Sequence, residues 1–289
     1  MGKFIITTDN MGDLPESYYE EHEIPYMSLT YTMDGVTYNK THQLSSKEFY
    51  DKMRNGSMPT TSQVNPEDAK ELGRPLLEEG YDILHIAFSS GLSGTFNSCR
   101  LAAEELSEAY PDRRIEVIDS LCASLGQGLY IHKAVMMKEA GKSMEEIRVW
   151  LYGHRLNLCH MFTVDDLFHL HRGGRVSKMT AVLGTMINIK PVLHVDEEGH
   201  LIALNKVRGR KKSLVTLVDM MEERLKDYPE TSETVFISHG DCIEDAEYVA
   251  KLVRERFGIE DILINPVGAT IGSHSGPGTM ALFFLGSHR

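Results

Sequence analysis

The sequence has little cysteine, no long hydrophobic run and fewer positive than negative charges. Its four cysteines, among 289 residues, include no CxxC pair and are too few for a disulfide scaffold. We therefore expect buried thiols in a reducing cytoplasm. No apolar stretch approaches the ~18–20 residues that cross a bilayer, and the first residues do not resemble a signal peptide. The sequence thus predicts a cytoplasmic protein that does not span a membrane, and transient membrane contact stays open.

Acidic residues outnumber basic ones by 42 to 30, which gives a formal net charge of −12. An acidic surface repels a phosphate backbone, so we expect no nucleic-acid partner. The 13 histidines include no HExxH motif. His169 and His171 are two positions apart on a predicted helix and point away from each other. We therefore expect neither a metal site nor a cofactor.

The length predicts two domains, at about 150 residues per domain. In the first half, short apolar runs typical of buried parallel strands alternate with helical patterns. The runs are Phe4–Thr8, Asp82–Phe88 and Ile115–Asp119. We predict an α/β fold in which residues 1–158 form an open, mostly parallel sheet flanked by helices.

The second half has a different pattern, typical of an α+β domain over residues 159–289. Two β-rich runs around Asp196–Gly199 predict a hairpin, and Gly173-Gly174 predicts the end of a helix over Asp165–His171. The remaining predicted elements are a strand or crossover at Leu158–Val164, a helix at Arg210–Tyr228, a strand at Thr234–His239, a helix at Ile243–Phe257 and a strand at Asp261–Ile264.

Three loops follow predicted strands, and they begin at Asp9, Ser89 and Asp119. In open α/β sheets, ligands bind where such loops meet beyond the carboxyl ends of the strands. We therefore expect these three loops to converge on one site.

The segment Ser89–Thr95 reads SSGLSGT between a strand and a helix. Free N–H groups, hydroxyls and the helix dipole suit a carboxylate or a phosphate there, with Ser93 and Gly94 as candidates. An ordinary helix cap made by Ser93 or Thr95 explains the same residues equally well. The segment is neither a GxGxxG loop nor a GxSxG nucleophile elbow, and no Walker lysine follows it.

Two further loops are candidate parts of the site. Thr60–Gln63 offers hydroxyl donors, among them Thr61 and Ser62, although such loops are also ordinary turns. The glycine-rich stretch Gly268–Gly278 indicates unusual backbone torsions or close approach of the backbone to a ligand, with His274 as a possible donor, or else a tight surface loop before a last helix.

Basic clusters stand out in this acidic chain. They lie at Arg172–Arg175, where Gly173 and Gly174 separate the two arginines, and at Arg208–Lys212. Such runs are usually solvated faces, but they also suit docking of an acidic partner.

Taken in order, these segments resemble the DegV family over essentially the whole chain. The motifs that carry the resemblance are Thr8-Asp9, Asp13-Leu14-Pro15, Pro59-Thr60-Thr61-Ser62-Gln63, Ser89–Thr95, Asp119-Ser120, Ser124-Leu125-Gly126-Gln127-Gly128, Gly173–Ser177, Lys190-Pro191 and Ile271–Gly278.

The resemblance implies two α/β domains with a long-chain fatty acid in a tunnel between them. It implies a non-catalytic, bacterial, lipid-binding subunit that presents the acid to a separate ATP-dependent fatty acid kinase. The acyl phosphate product would feed phospholipid synthesis. The ligand-binding residues carried over are Thr61, Ser62, Ser93, Gly94, Arg175 and His274; the candidate kinase contacts are Arg208 and Arg210.

Two positions depart from the family pattern: Asn10 replaces a common Ser, and Val64 replaces a common Pro. Both could alter the head-group loop or the chain-length preference. Methionines at 136, 137, 179, 186, 220 and 221 could line an adaptable pocket or fill the core. An enzyme acting on an acyl or phosphorylated substrate through the Ser93 loop, and a lipid-sensing regulator, stay open as alternatives.

Overall fold

The computed structural model describes residues 3–177, 188–228 and 233–289. The elements before residue 158 are β1 (Phe4–Asp9), a 3-10 turn (Asn10–Gly12), α1 (Glu16–Glu21), β2 (Tyr26–Met27), β3 (Thr30–Met33), β4 (Val36–Tyr38), α2 (Ser46–Arg54), β5 (Thr60–Ser62), α3 (Pro66–Glu78), β6 (Asp82–Ala87), α4 (Thr95–Ala109), β7 (Ile115–Asp119), α5 (Leu125–Glu139) and α6 (Met144–His154). The later elements are β8 (Leu158–Thr163), α7 (Phe168–Arg172), β9 (Ile189–Val195), β10 (Leu201–Arg208), α8 (Arg210–Leu225), β11 (Thr234–His239), α9 (Ile243–Phe257), β12 (Asp261–Pro266), α10 (Ala269–Ser275) and β13 (Met280–Leu285).

The first sheet is parallel throughout and has the strand order β2-β1-β6-β7. Side chains alternate between its two faces. Ile5 and Ile83 pack with Leu77 of α3 and Leu106 of α4 on one face. Leu84, which follows Ile83 in β6, packs toward α5 on the other face. Helices therefore cover both faces, as the continuous apolar runs predict.

The second sheet has the order β10-β9-β8-β13-β11-β12 and is antiparallel except between β11 and β12. One face packs against α8 and α9 through residues such as Met161 and Leu282. The other face turns Phe162 and Phe283 toward the first sheet.

Helix α5 lies between the two sheets. Its Leu129 belongs to one buried cluster with Leu84 of the first sheet and Phe236 of the second. This arrangement confirms the predicted α/β fold with a parallel sheet, flanking helices and a second sheet domain. The predicted boundary at residues 158 and 159 falls at the start of β8 and stays a prediction.

A third, small antiparallel sheet has the order β4-β3-β5. Asp34 and Gly35 both have positive φ, at 51° and 80°, as the Asp-Gly turn of a tight β-hairpin requires. Tyr26–Met27 pairs with the parallel sheet and not with this hairpin. The expectation of a loop over Thr60–Gln63 was wrong for Thr60–Ser62, which forms an edge strand.

The end of the chain also differs from expectation. The glycine-rich stretch contains α10 and is followed by β13, a fully buried strand, rather than forming a surface loop before a last helix. Close backbone approach explains its glycines, since a Cβ at Gly272 would clash with the Tyr50 ring. The predicted helix at Asp165–His171 begins later, at Phe168.

Candidate functional site

The loops after β1, β6 and β7 converge, as predicted. The Asp9 carboxylate accepts hydrogen bonds from the backbone N–H groups of Met11 and Phe88, at 3.0 and 2.8 Å. The Asp119 carboxylate accepts one from Ser90 N at 3.1 Å. The buried Asp9 carboxylate and the half-buried Asp119 carboxylate thus join each loop to its neighbour at the carboxyl edge of the sheet. Burial raises the pKa of Asp9 from 3.8 to about 6.

A cavity of about 460 Å³ lies between this edge and the second sheet, and we call it the first cavity. This volume is within the range of small-molecule sites. Among the described residues that line it, none is Asp or Glu. Its lining residues are Met11, Leu29, Thr61, Ser62, Gln63, Phe88, Leu92, Ser93, Ala123, Ser124, His160, Phe162, Leu170, Arg175, Val195, Leu201, Ser238, Val267, Thr270, Ile271, His274, Ser275, Thr279, Ala281 and Phe283.

Five of the six predicted ligand residues line the first cavity: Thr61, Ser62, Ser93, Arg175 and His274. The sixth, Gly94, is exposed and is not part of the lining. A Cβ at Gly94 would clash with the side chain of Gln63, so this glycine lets Gln63 pack against the loop. That these residues bind a ligand stays a prediction.

Thr61 and His274 form the polar centre of one wall. Edge strand β5 and helix α10 bring them together, and Thr61 Oγ1 lies 2.8 Å from His274 Nε2. Burial, with the nearby charges of Arg175 and Arg172, lowers the pKa of His274 from 6.5 to about 4. His274 is therefore a neutral imidazole at neutral pH.

The surroundings of the other ring nitrogen favour one tautomer. His274 Nδ1 is buried and has no hydrogen-bond partner among the described residues. An orphaned N–H costs more than an orphaned acceptor. We therefore assign the proton to Nε2, which donates to Thr61 Oγ1 and leaves the Thr61 O–H free to donate into the cavity.

Arg175 supplies the positive charge of the cavity wall. Its Nε and Nη2 donate to the Leu92 carbonyl at 3.2 and 3.0 Å, and its Nη1 donates to the Gly173 carbonyl. Burial lowers the pKa of this guanidinium. Within the described parts of the chain, no carboxylate pairs with Arg175, so its charge is not neutralised.

Ser93 carries features of both predicted roles. Its Oγ lies 2.9 Å from Thr95 Oγ1 and accepts a hydrogen bond from Thr95 N at 3.2 Å, which is the capping alternative. Ser93 also lines the first cavity. No described histidine forms a hydrogen bond with Ser93 Oγ, so no base for a serine nucleophile adjoins it.

Sequence reasoning missed a second polar group in the cavity wall, made by Ser124, Ser238 and His160. Ser124 has a φ of 53°, and its Oγ lies 2.5 Å from Asp13 Oδ2 and 2.9 Å from Ser238 Oγ. His160 Nε2 accepts a hydrogen bond from Ala123 N at 3.2 Å, which fixes its neutral tautomer. The glycines of the Ser124–Gly128 motif were the available signal, because a Cβ at 126 would clash with the His160 ring.

The two departures from the family pattern both shape the cavity wall. Asn10 Oδ1 accepts a hydrogen bond from Leu29 N at 2.9 Å, and Leu29 lines the cavity. Val64 is 2% exposed and packs in the same cluster as Leu29 and Leu92.

Of the two alternatives for the methionines, the structure favours core filling. Met136, Met137, Met220 and Met221 pack in or against the core, whereas Met11, which was not among the candidates, lines the cavity. The remaining two, at 179 and 186, lie outside the described residues.

The basic clusters take different roles. Arg172 Nη2 donates to the carbonyls of Pro59 and Ser273, at 3.0 and 2.9 Å, and so joins β5 to α10. Arg208 is exposed. Arg210 is half-buried and pairs with Asp245 at 2.8 Å, which makes it a poorer candidate for docking a partner than Arg208.

In the described part of the chain, no group of three or more His, Cys, Asp and Glu side chains has a metal-binding arrangement. The four cysteines carry free thiols. Among the residues described, no helix has the length and apolar character needed to cross a bilayer.

Comparison with known proteins gives consistent matches. The model of the DegV family, whose description reads "Uncharacterised protein, DegV family", matches residues 3–287. A DegV domain-containing protein of Clostridium perfringens is 46% identical over 99% of this chain and 98% of its own length.

Solved structures agree with this match. One concerns fatty acid binding of a DegV family protein from Thermus thermophilus; its TM-score is 0.87, at 30% identity, over 98% of this chain and 99% of that one. A DegV lipid binding protein from Thermotoga maritima has a TM-score of 0.85, at 32% identity, over 99% of both chains. The chain therefore belongs to the DegV family.

Proposed function

We propose that this protein binds a long-chain fatty acid in the first cavity, with the carboxylate near Thr61, Ser93, His274 and Arg175. The observation that carries the proposal is a largely apolar cavity whose described lining holds one uncompensated cation and no acid. The Thermus and Thermotoga relatives, described as fatty acid and lipid binding proteins, support the same ligand class.

The polar wall suits a carboxylate better than an uncharged group. A buried carboxylate is costly unless it is paired and hydrogen-bonded. Arg175 supplies the opposite charge, and the hydroxyls of Thr61 and Ser93 supply donors. Because His274 is neutral, it orients Thr61 without adding a second charge.

The apolar wall suits an alkyl chain. Phe88, Leu92, Phe162, Leu201 and Phe283 line the cavity from both sheets and from the hairpin beside them. Burial of each methylene contributes about 0.8 kcal/mol. A long chain can therefore supply most of the affinity, while the polar wall fixes which end lies where.

The family resemblance carries the proposal one step further. We propose that the bound acid is presented to an ATP-dependent fatty acid kinase, which forms an acyl phosphate for phospholipid synthesis. Arg208 is the proposed docking cation, because it is exposed and lies outside the cavity lining. In this account the protein contributes binding and presentation, and the kinase contributes the chemistry.

Fatty-acid affinity of a double variant tests the binding proposal. Thr61→Val with Ser93→Ala should weaken binding of a fluorescent long-chain acid by at least about tenfold, because the carboxylate loses two donors. Thr216→Val with Ser107→Ala removes two exposed hydroxyls that bond to helix carbonyls and serves as the matched control. Equal affinity of the two double variants would place the carboxylate elsewhere.

A further inference from the structure

A second cavity, of about 160 Å³, adjoins the first and lies between α1, the small sheet and the start of α10. Its volume is well above the roughly 10–15 Å³ that one water needs. The residues that line this second cavity are Asn10, Asp13, Leu14, Glu16, Tyr19, Tyr26, Ser28, Leu29, Tyr31, Tyr38, Asn39, Gln43, Asn265, Pro266, Gly268, Ala269 and Thr270.

The charge of this lining is negative. Among its described residues are two carboxyl groups, Asp13 and Glu16, and no Lys, Arg or His. Glu16 lies at the surface, where its Oε2 accepts a hydrogen bond from Tyr26 Oη at 2.6 Å. Asp13 is 6% exposed and lies at the buried side. A ligand in this cavity meets carboxylates on two sides.

Four tyrosines supply aromatic surface. Tyr19 and Tyr26 have ring centroids 4.6 Å apart, and Tyr31 and Tyr38 stack with centroids 4.9 Å apart. The face of a tyrosine ring attracts cations. The Tyr26 ring does so within this chain, since Lys40 Nζ lies 3.8 Å from its centroid.

One hydrogen-bond donor in the lining is unused. Tyr19 is 5% exposed, and its Oη is buried. The oxygen can accept a hydrogen bond from Leu14 N, but its O–H has no acceptor among the described residues. Most buried donors have an acceptor, so an unpaired O–H in a cavity wall indicates a ligand that supplies an acceptor atom. Tyr19 is not among the described lining residues of the first cavity, so the proposed fatty-acid site does not use this hydroxyl.

We propose that the second cavity binds a small organic ammonium ion, with the cationic nitrogen held by the tyrosine rings and the Glu16 and Asp13 carboxylates. The N–H groups of a protonated amine can donate to a carboxylate, and a hydroxyl on the same molecule, as in ethanolamine, can accept from Tyr19 Oη. An anion would meet the like charge of Glu16 and Asp13, the two charged side chains among the described lining residues. A neutral polar molecule would leave the attraction of the rings and carboxylates unused.

Titration with ethanolamine, protonated at pH 7, tests this inference on the full-length protein. We expect saturable shifts of the Tyr19 and Tyr26 ring signals in NMR spectra of tyrosine-labelled protein. Ethylene glycol, the neutral analogue, and acetate should cause no saturable shift. Equal shifts with ethylene glycol, or none with ethanolamine, would overturn the proposal.

Two variants locate the contacts. Glu16→Gln and Tyr19→Phe should each weaken ethanolamine binding by at least about fivefold, as loss of one favourable cation contact implies. Glu20→Gln removes an exposed carboxylate from the same helix outside the lining, and its affinity should be unchanged. If Glu20→Gln weakens ethanolamine binding as much as Glu16→Gln does, general attraction to an acidic surface explains the binding. That outcome would contradict a specific site in the second cavity. Fatty-acid affinity of Glu16→Gln, measured in parallel, separates this result from the fate of the first cavity.

Discussion

The two cavities share part of a wall yet differ in charge. Leu29 and Thr270 line both. The described lining of the first cavity contains Arg175 and two neutral histidines but no acid, whereas that of the second contains Asp13 and Glu16 but no base. Neighbouring sites in one fold can thus be suited to ligands of opposite charge.

Hydrogen bonds join the two cavities. Ser124 lines the first and Asp13 lines the second, and Ser124 Oγ lies 2.5 Å from Asp13 Oδ2. Burial raises the pKa of Asp13 from 3.8 to about 7. Near neutral pH the carboxyl group between the cavities is therefore only partly ionised, which limits the negative charge felt in the first cavity.

Charge reversal in the first cavity should have the largest effect. Arg175→Glu removes the cation and places a carboxylate beside the ligand carboxylate, so we expect fatty-acid affinity to fall by at least about 100-fold. Displacement of a fluorescent fatty acid measures the change. Arg208→Glu makes the same charge change outside the lining and should retain binding. Similar losses in both variants would show that overall charge, not the cavity wall, governs affinity.

Removal of the Asp13 carboxyl group should have an intermediate effect that depends on pH. Native Asp13 holds its proton up to about pH 7, whereas the unfolded carboxyl loses it near pH 3.8. The native state binds more protons between these values, so this group lowers stability as pH rises. Asp13→Asn should therefore gain thermal stability relative to the wild type, by at least about 3 °C between pH 5 and pH 8.

Differential scanning calorimetry measures this difference in thermal stability. The contribution of Asp9 to the pH dependence cancels in the comparison, because both proteins contain Asp9. Asp112→Asn changes an exposed carboxyl group and is the control. A difference that stays constant with pH would mean that Asp13 is ionised throughout in the native protein.

The smallest effect on the cavities should come from Arg208→Glu, which we expect to change fatty-acid affinity by less than about twofold, as is usual for a charge in contact with solvent. When a fatty acid kinase and ATP are added, the Arg208→Glu variant should support slower formation of acyl phosphate than the wild type. Unchanged kinase kinetics would remove Arg208 from the docking surface. A parallel loss of lipid would mean that Arg208 contributes to the cavity.

The sequence predicted the framework of the first cavity better than its walls. The buried runs at Phe4, Asp82 and Ile115 predicted a parallel sheet, and sheet topology then required their loops to converge. The final strand was missed although Met280–Leu285 is a continuous apolar run. The glycines before it left close backbone approach and a surface loop both open, because the contact of Gly272 with Tyr50 is not visible in local sequence.

The site residues were predictable to different degrees. Thr61 and His274 are 213 positions apart, and only the family resemblance grouped them. The second cavity was not predicted at all. Tyr19, Tyr26, Tyr31 and Tyr38 come from separate elements and have no periodic spacing, so their grouping depends on how the small sheet packs against α1.

A crystal structure of the protein grown with a long-chain fatty acid tests the central claim most directly, because it shows where the carboxylate lies. We predict a carboxylate oxygen within about 3 Å of Thr61 Oγ1, the usual length of such a hydrogen bond, with the chain between Phe162 and Phe283. The second cavity should contain no lipid. A carboxylate beside Ser124 and Ser238 with the chain reversed, or lipid density among the four tyrosines, would contradict the account.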